Sequence, residues 1–154
     1  MKGNFKITGE DDLIRKMTSL GADMEKALER GIVQTANQVR NSAIKSIQNQ
    51  TMGTYVRRSS QGGGSTYDHV ASRQGDAPNT DTGALVNSIA VEKIKGVPVA
   101  FVGSGLEYSK YLELGTKHMQ PRPWLQPALD KNLSNLEKNI IKQARNMIKQ
   151  AAKK

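Results

Sequence analysis

Apolar residues recur at helical spacing over the first third of the chain. They are Leu13, Met17, Leu20, Met24, Leu28, Val39, Ala43 and Ile47, with Ala36 bridging the middle. Acidic residues at positions 10–12 precede them, where a helix N-terminus favours negative charge. The pattern predicts one helix to about Ile47, on the order of 50 Å long at 1.5 Å per residue. Because a compact domain of this size needs no helix of that length, we expect it to contact another subunit or to break near Gly31.

The flanking segments differ from this helix. Residues 3–8 alternate polar and apolar, which predicts a short strand. Residues 48–81 lose all core-facing periodicity and include a Gly-Gly-Gly-Ser run, so they are predicted to form a flexible loop of about 30 residues. Tyr55 and Tyr67 are candidate anchors if the loop orders on assembly, although a disordered insertion is the favoured interpretation.

Turn and strand signals follow the loop. Thr80, Asp81 and Thr82 are capping residues in front of a short predicted helix at 83–89. Strands that start at Ile89 and Val99 flank a Gly-Val-Pro turn and predict a β-hairpin. Residues 108–112 are then predicted to form a helical turn, which stops at Gly115.

A last helix is predicted from about Leu125 to Lys149, since Pro123 and Pro127 are tolerated near a helix start. Its predicted apolar face consists of Leu129, Leu133, Leu136, Ile140, Ala144, Met147 and Ala151. The order of elements predicts an α+β fold with a small, mostly antiparallel sheet of three or four strands packed with two long helices. We expect residues 1–154 to form a single domain with a flexible loop at about 48–81 and a basic C-terminal helix at about 125–154.

Composition narrows the classes of function. The chain has 154 residues, 5% aromatic residues and a mean hydropathy of −0.58, so its core must consist mainly of aliphatic side chains. No apolar run reaches the roughly 20 residues that span a membrane, and the N-terminus lacks the apolar middle of a signal peptide. With no cysteine, disulfides and thiolate metal sites are excluded. We therefore predict a protein without membrane partners that is made in the cytoplasm.

Catalytic motifs are missing from the sequence. The two histidines are 49 residues apart, and there is no phosphate-binding glycine loop and no GxSxG elbow. Glu113 has no second carboxylate nearby, so an ion pair or a cap is favoured over a general acid. His118 is interpreted as an exposed loop residue rather than a pH-sensitive contact. We predict that the chain is not an enzyme and holds no cofactor and no metal.

The run at residues 108–129 is the richest in rigid side chains, with three of the five prolines and the single tryptophan. Such side chains lose little entropy on ordering and suit a fixed docking surface. Trp124 is either a core residue, which is slightly favoured, or an interface anchor. Arg122 lies between two prolines, and its guanidinium suits a carboxylate or phosphate partner, but an ordinary surface arginine is equally consistent.

The basic charge is concentrated at the C-terminus. The last 24 residues carry seven basic side chains and one acid, which accounts for +6 of the total charge of +9. Two interpretations stay open: a face that attracts nucleic acid through counterion release, or a solvated helix surface. The residues that could face DNA are Lys138, Lys142, Arg145 and Lys149.

Two motifs carry a resemblance to a known family. Residues 108–116 read Tyr-Ser-Lys-Tyr-Leu-Glu-Leu-Gly-Thr, and Met119, Pro123, Trp124, Leu125, Pro127, Ala128 and Leu129 follow. This run resembles the signature of the neck and tail-completion proteins of long-tailed bacteriophages, in which Tyr-x-x-Tyr-x-Glu-x-Gly-Thr leads into Pro-aromatic-Leu-x-Pro-Ala. Upstream, residues 77–89 resemble the family's second motif, Pro-x-x-x-Thr-Gly-x-Leu-x-x-Ser-Ile. Trp124 stands where phenylalanine is more usual, and residues 48–81 correspond to a variable region.

The resemblance implies a structural protein of the virion that forms a ring, of six subunits, at the head–tail junction. It implies that the ring completes or caps the tail and joins the tail tube protein to the head-closure or connector protein, while DNA passes transiently through the lumen. The residues expected to contact neighbouring subunits or partners are Tyr108, Tyr111, Glu113, Gly115, Thr116, Met119, Arg122 and Trp124. The alternative is a nucleic-acid-binding protein that uses the basic C-terminal helix.

Overall fold

The computed structural model describes residues 10–59 and 62–152, with side chains from residue 21 onward. The strand predicted at residues 3–8 lies outside the described residues. Helix α1 spans Glu10–Gln48, so its 39 residues extend over about 58 Å. The prediction of one long helix is confirmed.

Helix α1 does not break at Gly31, where the glycine allows close packing of another helix. A Cβ atom at Gly31 would lie 2.6 Å from Ile140 Cγ1 and 2.7 Å from Ile140 Cα. Only a residue without a side chain lets the last helix approach α1 this closely. Gly31 is therefore a packing position within an unbroken helix.

The predicted C-terminal helix is interrupted at one residue. Helix α4 spans Gln126–Leu133 and helix α5 spans Asn135–Ala151. Ser134 between them has φ −62° and ψ −16°, which is closer to a 3₁₀ turn than to an α-helix. The prediction of a single helix is wrong at this position, because the chain makes one tighter turn there, and both helices pack on α1.

Hydrogen bonds between side chains join α1 to α4 and α5. The pairs are Asn132–Ser42 at 2.8 Å, Asn139–Thr35 at 2.9 Å and Gln143–Gln34 at 2.9 Å. Later residues of α1 contact earlier residues of the C-terminal helices, so the helices run antiparallel. Asn132 and Asn139 are buried, whereas Leu129 and Leu133 of the predicted apolar face are 39% and 55% exposed. That part of the predicted face is wrong because the seam buries hydrogen-bonded amides in place of leucines.

Within the described residues, the strands form two separate antiparallel hairpins instead of one sheet of three or four strands. Strands β1 (Thr54–Ser59) and β2 (Thr66–Ala71) pair with each other, as do β3 (Ile89–Lys93) and β4 (Ala100–Ser104). The α+β class is confirmed, and so is the hairpin predicted around the Gly-Val-Pro turn. The β1–β2 hairpin, which we call the arm, lies inside the predicted loop at 48–81. That segment therefore contains regular structure that the sequence pattern did not indicate.

Two further short helices lie in the described residues. Helix α2 (Ala84–Ser88) is present as predicted, but its N-cap is Gly83, which offers no side chain, and the Ala84 N–H donates to Thr82 Oγ1 at 3.3 Å instead. Helix α3 (Glu107–Leu114) ends at Gly115, as predicted. The main apolar cluster lies where the second half of α1 meets α2, β3 and α4, and its buried members are Val39, Ala43, Ile47, Leu85, Ile89, Trp124 and Ala128.

Candidate functional site

Glu113 fixes the connection between α3 and α4. Its carboxylate accepts hydrogen bonds from the backbone N–H groups of Trp124 (2.8 Å), Leu125 (2.9 Å) and Gln126 (2.9 Å). These N–H groups stand at the start of α4, where no intrahelical partner exists and the helix dipole favours a negative charge. Of the two roles favoured for Glu113, an ion pair or a cap, the structure shows the cap, and the capped helix begins 13 residues further along the chain.

The segment between the two helices is a tight turn. Gly115 has φ 76°, and a Cβ atom there would lie 2.8 Å from the Met119 carbonyl oxygen. The Thr116 N–H donates to the Met119 carbonyl at 2.8 Å, and the Arg122 N–H donates to the Leu112 carbonyl at 2.7 Å. The chain therefore folds back along α3 in one defined path, which requires glycine at position 115.

Trp124 lies in the core of the subunit. Its side chain is 3% exposed, and the indole Nε1–H donates to the Ser109 carbonyl at 3.4 Å. The preferred interpretation as a core residue agrees with this position. Since the ring is not on the surface, Trp124 can support an interface only by holding the chain on either side of it.

The outer side of α3 carries the exposed part of the motif. Tyr108 and Tyr111 are each 43% exposed and Leu114 is 77% exposed, while Ser109 on the opposite side is buried. Lys110 Nζ lies 4.9 Å from the centre of the Tyr111 ring. Large exposed apolar groups on a well-anchored helix are typical of a protein interface. Of the other predicted interface residues, Thr116 is exposed and Gly115, Met119 and Arg122 are partly buried.

The arm is attached through one buried asparagine at its base. Asn79 is 8% exposed, and its Nδ2 donates to the Thr51 carbonyl at 2.9 Å and to the Val70 carbonyl at 2.8 Å. Its Oδ1 accepts the Thr51 N–H at 2.9 Å. Gly53 is also required at the base, because a Cβ there would clash with the Ala71 carbonyl oxygen.

A carboxylate before α2 makes a second attachment to the arm. Asp81 lies 3.5 Å from Arg58 Nη1 and 3.7 Å from His69 Nδ1, so it contacts both strands. A hydrogen bond with Asp81, followed by burial, raises the pKa of the Tyr67 phenol above 10.0. Burial, with a smaller contribution from the Asp81 charge, raises the pKa of Tyr108 above 10.0 as well. Asp81 thus joins the arm electrostatically to the rest of the subunit.

These contacts were not predicted from the sequence. The sequence indicates Asp81 only as a capping residue, and it places Arg58, His69 and Asn79 in a segment without apolar periodicity. The residues of the Asp81 cluster are as much as 23 positions apart, so no local spacing signals their proximity. The one available signal was the concentration of short polar side chains at residues 79–82, which hydrogen-bond backbone readily.

A cavity of about 630 Å³ opens between the arm, α2 and α3. Its wall includes Arg122, Ser72, Asp81 and Tyr108. Ser72 Oγ and Arg122 Nε are buried and have no hydrogen-bond partner. The structure thus places Arg122 and Tyr108, two of the predicted interface residues, in one cavity.

The basic residues of α5 lie together on a shallow groove. Lys138, Lys142, Arg145 and Lys149, all predicted as DNA-facing, line a groove of about 370 Å³ with Ile141 and Asn146. All four basic side chains are exposed. The groove presents positive charge over several turns of α5, as counterion release at a phosphate backbone would require.

Across residues 21–59 and 62–152, whose side chains the structure describes, no group of three or more His, Asp or Glu side chains could hold a metal ion. Within this described part of the chain, none of the helices combines the length and the apolar character that a bilayer crossing requires.

Comparison with known proteins identifies a matching family. A family model, HK97-gp10_like, described as "Bacteriophage HK97-gp10, putative tail-component", matches residues 11–115, which is more than half of the chain. The matched region runs from α1 to the glycine that ends α3, so α4 and α5 lie beyond it. No curated protein and no solved structure matched the chain.

Proposed function

Because the chain belongs to the HK97-gp10-like family of bacteriophage tail components, we propose that it forms a ring at the head–tail junction of the virion. A tail component is a structural protein of the virion; its position at the junction and its assembly into a ring are proposed here for this chain. The ring completes the tail and joins the tail tube protein to the head-closure or connector protein. Six subunits form the ring, and DNA passes through its lumen.

The observation that carries this proposal is the contrast between the two sides of the α3–α4 connection. Its inner side is anchored by Trp124 and by the three hydrogen bonds of Glu113, while its outer side exposes Tyr108, Tyr111 and Leu114. A preorganised surface loses little entropy when it binds, so the outer side suits a permanent contact in an assembly. The interface predicted from the sequence is accordingly assigned to the exposed residues, with Glu113, Gly115 and Trp124 as its support.

An assembly assay tests the proposal. The protein is mixed with its tail tube and head-connector proteins, and ring formation is followed by light scattering and electron microscopy. Replacing Tyr111 and Leu114 with serine should raise the concentration needed for assembly by about tenfold or more, since buried aromatic anchors dominate interfaces. Val97→Ser is the matched control, because Val97 is also 43% exposed but lies in the β3–β4 turn. Monomers in all of these mixtures would refute the ring.

The basic groove on α5 supports a second candidate function, the binding of nucleic acid. If the groove contacts phosphates, replacing Lys142 and Arg145 with glutamine should reduce the slope of log affinity against log salt by about 2 for duplex DNA. Glutamine at Lys95 and Lys117, exposed lysines outside the groove, provides the control. An equal reduction of the salt slope in both double variants would indicate general attraction by net charge and would exclude the groove as a specific site.

A further inference from the structure

The cavity beneath the arm contains two buried polar groups that the subunit itself does not satisfy. Among the described side chains, Ser72 Oγ and Arg122 Nε are the buried nitrogen and oxygen atoms without a hydrogen-bond partner. Ser72 is only 4% exposed, and both residues line the cavity. A buried polar group without a partner is unfavourable, so these two groups indicate that the cavity binds a ligand.

The charges around the cavity indicate the sign of that ligand. Asp81, the acid in the cavity wall, is already engaged by Arg58 and His69. Arg122 lines the same wall and has neither an ion pair nor a side-chain hydrogen bond within the described chain. Its guanidinium is therefore a partly buried cation without a counter-charge, which favours an anionic oxygen acceptor.

Part of the cavity wall is apolar. Leu85, Val86, Leu112 and Pro78 contribute to it. A volume of about 630 Å³ lies in the range of small-ligand sites, roughly 300–1,000 Å³. The cavity can therefore hold an acidic side chain and an adjacent apolar one. A bare phosphate would satisfy Arg122 but would leave the apolar wall without a partner.

We infer that this cavity binds an acidic peptide segment, in which a glutamate or aspartate carboxylate meets Arg122 and Ser72 and a neighbouring apolar side chain packs against Leu85, Val86 and Leu112. The segment belongs to an adjacent protein in the tail, a source that rests on the proposed function. The chemistry of the site does not depend on ring formation and can be measured on the isolated chain.

The probe is the dipeptide N-acetyl-Glu-Leu-amide, compared with N-acetyl-Gln-Leu-amide and with inorganic phosphate. Binding is followed by NMR through the backbone amide resonances of Leu85, Val86 and Leu112, which line the cavity and are retained in every variant. The acidic dipeptide should bind at least about tenfold more tightly than its amide counterpart, since a hydrogen bond to a charged group is stronger than one to a neutral group. Arg122→Gln should abolish that preference, and Ser72→Ala should weaken binding by about threefold.

Arg73→Gln is the control, because Arg73 is exposed next to Ser72 but does not line the cavity. Circular dichroism and the backbone NMR spectrum establish that each variant is folded, and Arg122→Lys, which keeps the charge, should retain part of the preference. Equal affinity for the two dipeptides, or phosphate binding as tight as that of the acidic dipeptide, would overturn the inference. If the acidic dipeptide binds but no ring forms with the tail proteins, the ring fails and the peptide site stands.

Discussion

The α3–α4 connection and the arm adjoin the same end of α1 but are held by different interactions. The connection inserts Trp124 into the apolar cluster and closes on itself through Glu113. The arm places all six residues of β1 on the surface and is attached by Asn79 and Asp81. Burial of apolar area is strong and independent of direction, whereas a few polar contacts are directional and easily exchanged. We therefore expect the connection to behave as part of the core and the arm as a separately opening unit.

This difference assigns different tasks to the two regions. A segment that unfolds only with the core can present a fixed surface, as the outer side of α3 does. A segment that opens at lower cost can adapt its position when a neighbour binds. The cavity with Arg122 and Ser72 lies between them, so a ligand there would contact the fixed and the adaptable part together.

The largest expected effect comes from removing the core residue of the connection. Trp124→Ala should lower the free energy of unfolding by about 3–5 kcal/mol, because it leaves a large cavity in the apolar cluster. Denaturant titration followed by circular dichroism measures this change. Trp124→Phe should cost only about 1 kcal/mol, since the phenyl ring keeps most of the packing and loses one long hydrogen bond. Equal losses in the two variants would contradict a packing role.

The next effect concerns the cap. Glu113→Ala leaves three N–H groups at the start of α4 without an acceptor and should lower the free energy of unfolding by about 2 kcal/mol. Glu107→Ala on the same helix is the control and should stay within about 0.5 kcal/mol, because its ion pair with Lys110 is exposed. If the Glu113 variant is as stable as the control, the connection is held by packing alone.

The sequence predicts the elements that depend on interactions between residues close together in the chain. Helix α1, the stop at Gly115 and the β3–β4 hairpin depend on neighbours within a few residues, so their signals appear in the sequence. The arm could not be predicted, because β1 is exposed on both faces and has no alternation of apolar and polar residues. Sequence patterning detects burial, and a strand without burial leaves no such pattern.

The same limit applies to the C-terminal helices and the site. The apolar periodicity favours Leu133 as a core residue, whereas the structure buries Asn139. Asn139 can be buried because Thr35 and Gln38 of α1 accept its amide hydrogens. From the sequence alone, a polar residue in the seam between two helices is predicted to be exposed, because its hydrogen-bond partner is distant in the chain. Glu113 was correctly interpreted as a structural carboxylate, since no second catalytic group accompanies it. Its partners, by contrast, became known only from the fold.

The arm should respond to the loss of its buried amide without a matching effect on the core. Asn79→Ala removes the contacts with Thr51 and Val70 and should accelerate hydrogen exchange of the arm amides by about tenfold, equivalent to about 1.4 kcal/mol. Exchange in α1 and α5 should change much less. Asn37→Ala is the matched control, because that side chain is exposed and bonds only to its own helix. Uniform acceleration throughout the protein would mean that arm and core open as one unit.

The smallest expected effect is a shift in the pKa of Tyr67, which reports whether the arm is docked. The Asp81 carboxylate raises the pKa of Tyr67 above its ordinary value of 10.0, mainly through a hydrogen bond, so the folded protein holds the phenolic proton more tightly than the unfolded chain. This contribution to stability is present below pH 10 and is lost as the pH rises through the folded pKa. Phenolate absorbance, compared with that of Tyr67→Phe, isolates the titration. Asp81→Asn should lower the pKa towards 10.0, whereas Asp68→Asn, on the same strand, should leave it unchanged. Because the shift requires Tyr67 and Asp81 to be in contact, an unshifted Tyr67 in the native protein would show that the arm is detached in solution.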